Sequence, residues 1–361
     1  MALLVRGLVL FRTVWAVVLA LLVGSILIAA AGVDPLSAYG ALFGGAFLDY
    51  WGFASTLVKT SPILLAGLAV VVPLRAGLFN IGGEGQIYLG ALAATAAALY
   101  LPELPGPIHI AVCALAGMAG GALWALFPGY LKAYHGINEV IVTLLMNYVA
   151  INLVSYFVSG PMMEEGAPYP YSPEIGPHLF LPLLLPQSDA HIGAVIGLVC
   201  ALGLFAMFRY TSFGFALDTV GHSPGAARYA GIAVRRQVLL AMALGGALAG
   251  LAGTFEILGL KYRLFHLFSA GYGFDGIVVA FMAAASPILV PLAALFLGGL
   301  KAGAQIMQRA VGVESTVVDA IQGLVVIFVA AGLALRFEDS RLAAALRRRQ
   351  QADALLAKRE A

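Results

Sequence analysis

Polar side chains that could hydrogen-bond a small solute are concentrated at two places in this apolar chain. The first is the stretch 75–86, which reads RAGLFNIGGEGQ and places Asn80, Glu84 and Gln86 among four glycines. A stretch with so many glycines cannot form a stable lipid-facing helix, so its backbone is expected to be irregular. Irregular backbone at membrane depth occurs only where it is buried in protein or lines a water-filled cavity. Two interpretations follow: a substrate path or gate, or a cytoplasmic turn in which Glu84 and Gln86 cap a helix.

The second polar cluster lies on one face of a predicted helix. Glu139, Thr143 and Asn147 are spaced four residues apart, so their side chains stack along that face, with Tyr148 and Asn152 nearby. Carboxylate, hydroxyl and amide groups can bind the hydroxyls of a polar solute, which would make this face a pore lining. The same groups can instead join two helices through a seam of hydrogen bonds, and the sequence favours neither interpretation.

Signatures of ATP hydrolysis and cofactor binding are missing from the sequence. None of the five lysines follows a glycine, so no Walker A loop is possible. Residues 271–276 match G-x-G-x-x-G, but no predicted strand precedes them, so we reject a dinucleotide site. Cys113 and Cys200 lie in apolar runs without the spacing of a metal site or a disulfide framework. We therefore expect no cofactor, and we interpret Asp275 as a solvated loop acid.

The composition explains why these polar groups stand out. Hydrophobic residues make up 61% of the 361 residues, charged residues only 11%, and the mean hydropathy is +0.96. A soluble domain carries about 25% charged residues, so this chain cannot cover a globule with a polar surface, and a disordered chain needs low hydrophobicity. The net charge of +2 is too small to indicate a nucleic-acid partner. The composition predicts an all-α polytopic membrane protein surrounded by lipid.

Charge-free windows predict the arrangement of the membrane helices. They fall at 13–33, 60–74, 85–102, 104–131, 140–163, 190–208, 237–255, 276–300 and 320–335. The stretch 274–308 is interrupted by Ser286, Pro287 and Pro291, so it can form a tight pair of crossings, of which one can be re-entrant. The total is then about ten transmembrane helices with one or more broken or re-entrant segments.

Basic residues predict the orientation of these helices. With ten crossings, fifteen of the twenty lysines and arginines lie on one side, which the positive-inside rule makes cytoplasmic, together with both termini. Glycines four residues apart, such as Gly117 with Gly121 and Gly246 with Gly250, let helices approach closely in lipid. We therefore expect a single transmembrane domain at 1–335 and a basic cytoplasmic tail at 336–361.

The loop 209–236 is the longest basic segment between predicted spans and is assigned to the cytoplasm. Within it, Ser223 suits an N-cap, Pro224 suits the first helical position, and Gly231 suits the end of a short helix. A helix of two turns is unstable alone in water, so it must pack on something. It either lies on the membrane surface or docks into a partner protein, and the second interpretation is favoured.

Three strings carry a resemblance to a known family: GLFNIGGEGQ at 77–86, GINEVIVTLLMNY at 136–148, and TSFGF at 211–215 followed by AARYAG at 226–231. They resemble nucleoside and simple-sugar permeases of bacterial ABC importers, in the wider family of ribose and branched-chain amino acid permeases. Two positions depart from the family pattern. Gly225 stands where an acid is usual, and Asp218 stands near the usual place of a basic residue.

The resemblance implies a permease subunit that moves nucleosides or simple sugars across the bacterial inner membrane. Its implied partners are a cytoplasmic ATP-binding subunit, a second permease that is a different and shorter chain, and an extracytoplasmic substrate-binding lipoprotein. The expected substrate pathway contains Asn80, Glu84, Gln86, Glu139, Thr143 and Asn147. The expected ATPase-coupling residues are Ser223, Pro224, Ala226, Ala227, Arg228, Tyr229 and Gly231.

Two other classes of function remain as alternatives. An ion-gradient-driven secondary transporter of a small polar solute would need paired carboxylates near the membrane centre, for which only Glu84 and Glu139 qualify. An intramembrane enzyme would need a nucleophile with a base, and we identify no such pair.

Overall fold

Helices form nearly all of the regular structure in the computed structural model, which describes residues 2–102, 104–314, 316–321, 323–325, 327 and 328, with side chains from Trp15 onward. The α-helices, numbered α1 to α12 in chain order, are Ala2–Ala30, Pro35–Phe47, Tyr50–Arg75, Gly83–Tyr100, Gly106–His135, Glu139–Ser159, Gly193–Tyr210, Ser212–His222, Pro224–Tyr229, Val234–Glu256, Tyr272–Met282 and Val290–Val311. Residues 316–321 and 323–325 are also helical. A π-helical turn, Ile257–Lys261, continues α10, and Pro177–Leu179 form a 3-10 turn. Within this described part of the chain there is no extended strand.

Six of these helices are long and apolar enough to cross a membrane: α3, α5, α6, α7, α10 with its π-helical turn, and α12. The number rises to seven if Trp15–Ala30 and Pro35–Phe47 together form one broken span. The chain is thus a polytopic, all-helical membrane protein, as its composition predicts. The total of ten helices and the cytoplasmic placement of both termini stay predictions, and the tail 336–361 lies outside the described residues.

The stretch 274–308 contains one short and one long helix. Helix α11 has 11 residues and rises about 16 Å, which is too short for a hydrocarbon core of about 30 Å. Helix α12 has 22 residues and is long enough. Between them, Ala284 and Ala285 adopt positive φ angles, and Pro287 follows, so the chain turns sharply there. Helix α11, the first of the two predicted crossings, is therefore only about half as long as a full membrane span.

Helices α3 and α10 form the centre of the unit Tyr39–Gly312, since 78% of the spanning window of each is buried, against 22–28% for α5, α6 and α7. Glycines permit this packing. A Cβ on Gly121 would lie 2.2 Å from the Gly246 carbonyl oxygen, and one on Gly250 would lie 2.1 Å from that of Gly117. The glycines at four-residue spacing thus bring α5 and α10 together. Described residues before Tyr39 and after Gly312 form a separate unit.

Candidate functional site

The stretch between α3 and α4, residues 76–82, is irregular and mostly buried among the helices, and we call it the buried segment. Helix α3 ends at Arg75, and Gly77 turns the chain with a φ of +76°, a left-handed conformation that favours glycine. Leu78 and Asn80 are only 3% and 1% exposed. The segment therefore joins two helices, as a turn does. Ala76, Leu78, Asn80 and Gly82 are buried in protein, Phe79 and Ile81 are partly buried, and Gly77 is exposed.

One face of α6 holds the buried segment through hydrogen bonds. Thr143 Oγ1 accepts from Ile81 N at 3.2 Å, and the Glu139 carboxylate accepts from another backbone N–H of the segment at 3.4 Å. Asn147 Oδ1 accepts from Gly85 N at 2.8 Å, while its Nδ2 donates to Ile81 O at 3.0 Å. These are the contacts of a hydrogen-bond seam, and they hold the backbone of the buried segment and the start of α4.

The other polar residues near this face have different surroundings. Tyr148 is 63% exposed, and Asn152 is also exposed and donates to the Tyr148 carbonyl oxygen. Glu139 is additionally paired with Lys132 of α5, with Nζ and Oε2 2.7 Å apart. The seam therefore links α5, α6 and the buried segment, whereas Tyr148 and Asn152 face away from it.

The three polar residues of the first cluster are buried around the start of α4. Asn80 and Gln86 form a reciprocal amide pair at 3.1 and 3.2 Å. Glu84 is 3% exposed, and its Oε2 accepts from Gly273 N of α11 at 2.7 Å. The structure thus brings all six predicted pathway residues together on and around the buried segment. Their hydrogen bonds go to protein groups, which fixes the backbone of this region.

Helix α9 begins and ends where its capping residues predict. Ser223 Oγ accepts from Ala226 N at 3.2 Å, and Gly231 takes a φ of +77°. Ala227 is fully buried, whereas Tyr229 is 97% exposed. The helix therefore packs on its own chain through one face and presents a tyrosine on the other.

Helix α8, which precedes α9, was not expected from the sequence. Thr211 caps it by accepting a hydrogen bond from Gly214 N at 3.1 Å. Residues 221–225 read GHSPG and match the G-x-S-x-G pattern of hydrolase nucleophiles, which requires a strand before the serine. Here a helix precedes Ser223 and its hydroxyl caps the next helix, so the match does not indicate a nucleophile.

A salt bridge joins α8 to the last residue of α3. Arg75 contacts the Asp218 carboxylate through Nε, 2.7 Å from Oδ1, and through a terminal nitrogen that contacts Oδ2. The guanidinium also lies over the Phe208 ring, 4.0 Å from its centroid. Beside it, a Cβ on Gly221 would lie 2.0 Å from the Arg75 carbonyl oxygen. Asp218, one of the two departures from the family pattern, thus has a partner within the chain.

A cavity of about 810 Å³ lies where the buried segment approaches α9 and the start of α10. Its lining includes Ala76, Gly77, Leu78, Lys132, Val220, Gly221, Pro224, Arg228, Arg235 and Val238. The backbone of the buried segment and the residues of α9 thus border the same space.

Comparison with known proteins identifies the family. A family model described as the permease component of the branched-chain amino acid transport system matches residues 52–330. The chain belongs to this permease family. The permease is 38% identical to the glucose ABC transporter permease protein TsgB13 of Haloferax volcanii over 325 residues, which cover 87% of this chain and 85% of the relative.

Two further relatives are similar over comparable lengths. The permease is 36% identical to the guanosine ABC transporter permease protein NupP of Bacillus subtilis over 332 residues, 91% of this chain and 94% of the relative. It is 30% identical to the nucleoside ABC transporter permease protein NupB of Lactococcus lactis over 325 residues, 87% of this chain and 89% of the relative.

Membership of this family decides between the classes of function. The chain is the membrane subunit of an ABC importer, and ATP is hydrolysed by a separate ATP-binding subunit. The system also contains substrate-binding partners. The chain is therefore a transport subunit rather than an enzyme, and the alternative of an ion-gradient-driven transporter is not supported.

The permease also holds charged side chains that the sequence interpretation did not bring together. Asp275 is not a solvated loop acid, and that expectation was wrong: its carboxylate is 13% exposed and lies 2.6 Å from Lys301 Nζ. Glu256 is 1% exposed; Lys261 Nζ lies 3.9 Å from its Oε1, and Tyr272 Oη donates to the same oxygen at 3.4 Å. The sequence carried one indication of these pairs, since charged residues lie inside or beside the apolar windows. Charged side chains in such positions of a membrane protein usually pair with one another.

Proposed function

We propose that this permease imports nucleosides or simple sugars across the inner membrane of a bacterium. The names of its relatives support this substrate class, because guanosine, nucleosides and glucose are named for proteins 30–38% identical over most of the chain. The arrangement around residues 76–82 supports it as well, because a buried, irregular segment with polar side chains is typical of the broken helices around which transporters move solutes.

The observation that carries the mechanism is the contact between α8 and the start of the buried segment. An ATP-binding subunit docks on α9 through the exposed Tyr229 and its neighbour Arg228. Movement of α9 carries α8 with it, since one residue separates the two helices. The Arg75–Asp218 salt bridge then transmits the displacement to the end of α3.

The buried segment receives this displacement directly. Arg75 immediately precedes it, and a Cβ on Gly77 would lie 3.1 Å from the Gly221 Cα atom of α8. On its other side, the segment is hydrogen-bonded to Thr143 and Asn147 of α6. A shift of α8 therefore moves the segment against α6, which opens or closes the path that the six polar residues border.

The remaining assignments belong to the same proposal. A second permease, different and shorter, pairs with this chain, and an extracytoplasmic lipoprotein delivers the substrate. The exposed apolar faces of α5, α6 and α7 offer surface for the second permease and for lipid. Residues 1–335 act as one permease domain, with 209–236 as the coupling loop and 336–361 as a cytoplasmic tail.

Uptake by the reconstituted importer tests the function. The permease, its partners and the substrate-binding protein are placed in liposomes, and uptake of labelled guanosine and glucose is measured with ATP on the cytoplasmic side. We expect uptake that requires ATP and survives an uncoupler. Uptake that persists without ATP and collapses with the uncoupler would contradict the proposal.

Variants of two pathway residues test the assigned path. Asn80→Leu removes the amide that pairs with Gln86, and Glu139→Ala removes an acceptor of the buried segment. We expect both to lower uptake at normal expression and normal association with the ATP-binding subunit. Unchanged uptake in either variant removes that residue from the pathway.

A further inference from the structure

A second cavity, of about 390 Å³, lies toward the other end of α3. Its lining includes Trp51, Ser55, Lys59, Gln187, Asp189, Lys261 and Tyr272. Lys59 is sixteen residues before Arg75, about 24 Å along the helix, so this cavity is well separated from the coupling loop. Its volume lies within the range of about 300–1,000 Å³ that is usual for small-molecule sites. We call it the outer cavity.

Four polar side chains of the outer cavity are free of hydrogen bonds to the described residues. Ser55, Lys59, Gln187 and Asp189 make no side-chain hydrogen bond or ion pair within the described part of the chain, whereas Lys261 and Tyr272 both contact Glu256. The carboxylates of Glu256 and Asp275 act electrostatically on Lys59, Asp189 acts on His191, and Gln187 and Asp189 are exposed. Lys59 is half-buried in a membrane-spanning helix, where a lysine normally pairs or faces a functional cavity. The cavity therefore presents unused donors and acceptors to whatever enters it.

A hydrogen bond connects the loop before α7 to the start of α3 at the mouth of the outer cavity. Tyr50 Oη donates to the Pro186 carbonyl oxygen at 2.8 Å. Within that loop, Ser188 Oγ donates to Leu185 O at 2.9 Å, and Gln187 takes a φ of +58°, unusual for a residue with a side chain. Such backbone strain is found most often at binding and catalytic sites.

The chemistry of these four groups defines the ligand. Lys59 can only donate, the Asp189 carboxylate can only accept, and Ser55 and Gln187 can do both. This mixture complements sugar hydroxyls, which donate and accept at once, whereas one carboxylate is too few to bind a metal ion. Trp51 is 56% exposed at the rim and offers a flat apolar surface for a base or for the face of a sugar ring.

We propose that the outer cavity binds the sugar ring of the incoming substrate, with Lys59 and Asp189 on its hydroxyls and Trp51 against its apolar face or its base. The inference rests on the proposed import of nucleosides or simple sugars. It adds a binding site on the permease itself, distinct from the residues around the buried segment.

Uptake kinetics of the complete reconstituted importer give the first test, with guanosine and glucose as probes. For the transported probe we expect Lys59→Met and Asp189→Asn each to raise KM about tenfold or more, because each removes a charge-assisted hydrogen bond. Lys59→Arg should retain more affinity than Lys59→Met, and the ATPase rate without substrate should stay unchanged. Glu165→Gln, an exposed acid of the same loop outside the cavity, is the matched control and should match the wild type. Wild-type KM in both cavity variants overturns the inference.

Thiol protection gives a second test that needs no transport. In a Cys200→Ser background, which removes the partly exposed native cysteine and keeps only the buried Cys113, Ser55→Cys should react with a membrane-impermeant thiol reagent faster than the background chain. Guanosine or glucose should slow this reaction. Absence of labelling or of protection contradicts the site. If the wild-type importer shows no ATP-driven uptake of either probe while Ser55→Cys is protected, the proposed function fails and the site stands.

Discussion

Arg75 and Asp218 form a two-point salt bridge across 143 positions of sequence, with Nε and Oδ1 2.7 Å apart. Arg75 ends α3 and immediately precedes the buried segment, and Asp218 lies in α8, next to the helix that presents Tyr229. The pair therefore connects the surface assigned to the ATP-binding subunit with the polar interior of the bundle. About a quarter of each side chain is exposed, so its contribution to stability is modest, and we expect its main effect to be on transport.

Tyr229 is predicted to anchor the ATP-binding subunit. It is 97% exposed on α9, and an aromatic side chain buried at an interface often contributes strongly to binding. We expect Tyr229→Ala to weaken co-purification with the ATP-binding subunit about tenfold or more while the permease stays folded. The control is Tyr169→Ala, which removes another exposed tyrosine, in a loop distant in sequence from α9. Equal recovery of the subunit with both variants would exclude Tyr229 as an anchor.

Replacing the whole helix tests the coupling assignment more broadly. When Ser223–Gly231 is exchanged for a flexible glycine–serine linker of equal length, we expect association with the ATP-binding subunit to be lost, because the capped helix no longer forms. Co-purification measures the result. If the subunit still binds as it does to the wild type, the coupling assignment of this helix is wrong.

Asn147 is predicted to stabilise the buried segment. Its amide bonds Gly85 N and Ile81 O, so Asn147→Leu leaves a buried N–H and a partly buried carbonyl without these partners, at a cost of about 1–3 kcal/mol for the buried group. We expect a lower Tm in detergent and reduced uptake. Asn152→Leu on the exposed side of the same helix should leave both values near those of the wild type. The same Tm for both variants would show that the seam does not hold the segment.

Gly90 is predicted to be required for the close packing of α4 against α10. A Cβ there would lie 2.2 Å from the Gly250 Cα atom, so Gly90→Ala must push α4 away from α10 and should cost about 1–3 kcal/mol. A Cβ on Gly203 of α7 would meet nothing within 4 Å, so Gly203→Ala should be neutral or slightly stabilising. Thermal unfolding in detergent compares the two. A Gly90→Ala variant as stable as Gly203→Ala contradicts the close approach.

His191 is predicted to make stability depend on pH. It lies just before α7 and is 2% exposed, and burial lowers its pKa to about 4 against the opposing effect of Asp189. The unfolded chain protonates this imidazole below about pH 6.5, whereas the folded chain keeps it neutral. Its contribution is therefore intact above pH 6.5 and is lost progressively as the pH falls from 6.5 to about 4.

Substitution checks this dependence. His191→Asn should flatten the fall of Tm between pH 6.5 and 4.5, whereas His266→Asn, which removes an exposed histidine, should retain the wild-type slope. A wild-type slope in the His191 variant would show that another group causes the loss of stability.

Local features of this protein were predictable because their physical causes are local. Ser223 and Gly231 cap α9 as their positions indicate, since capping depends on a few neighbouring residues. The four-residue spacing of Glu139, Thr143 and Asn147 predicted that they share one face of a helix. In the structure all three hydrogen-bond from that face to the backbone of the buried segment or of the start of α4.

Pairings between distant helices were not predictable from one sequence. Glu84 accepts from Gly273 N across 189 positions, and Asp275 pairs with Lys301 on another helix. Such contacts depend on which helices are neighbours in the bundle, and hydropathy carries no information on that order. The same limit applies to α11, whose window looked long enough for a span although its helix has only 11 residues.

Uptake by charge-swapped variants is the most direct test of ATP-driven import coupled through Arg75 and Asp218. The reconstituted importer is assayed with the wild-type chain, Arg75→Asp, Asp218→Arg and the double exchange, and both ATP hydrolysis and substrate uptake are measured. We expect each single variant to lose most uptake while the bound subunit still hydrolyses ATP, and the double exchange to recover part of the uptake. Full uptake in the single variants, or none recovered in the double exchange, would contradict this coupling.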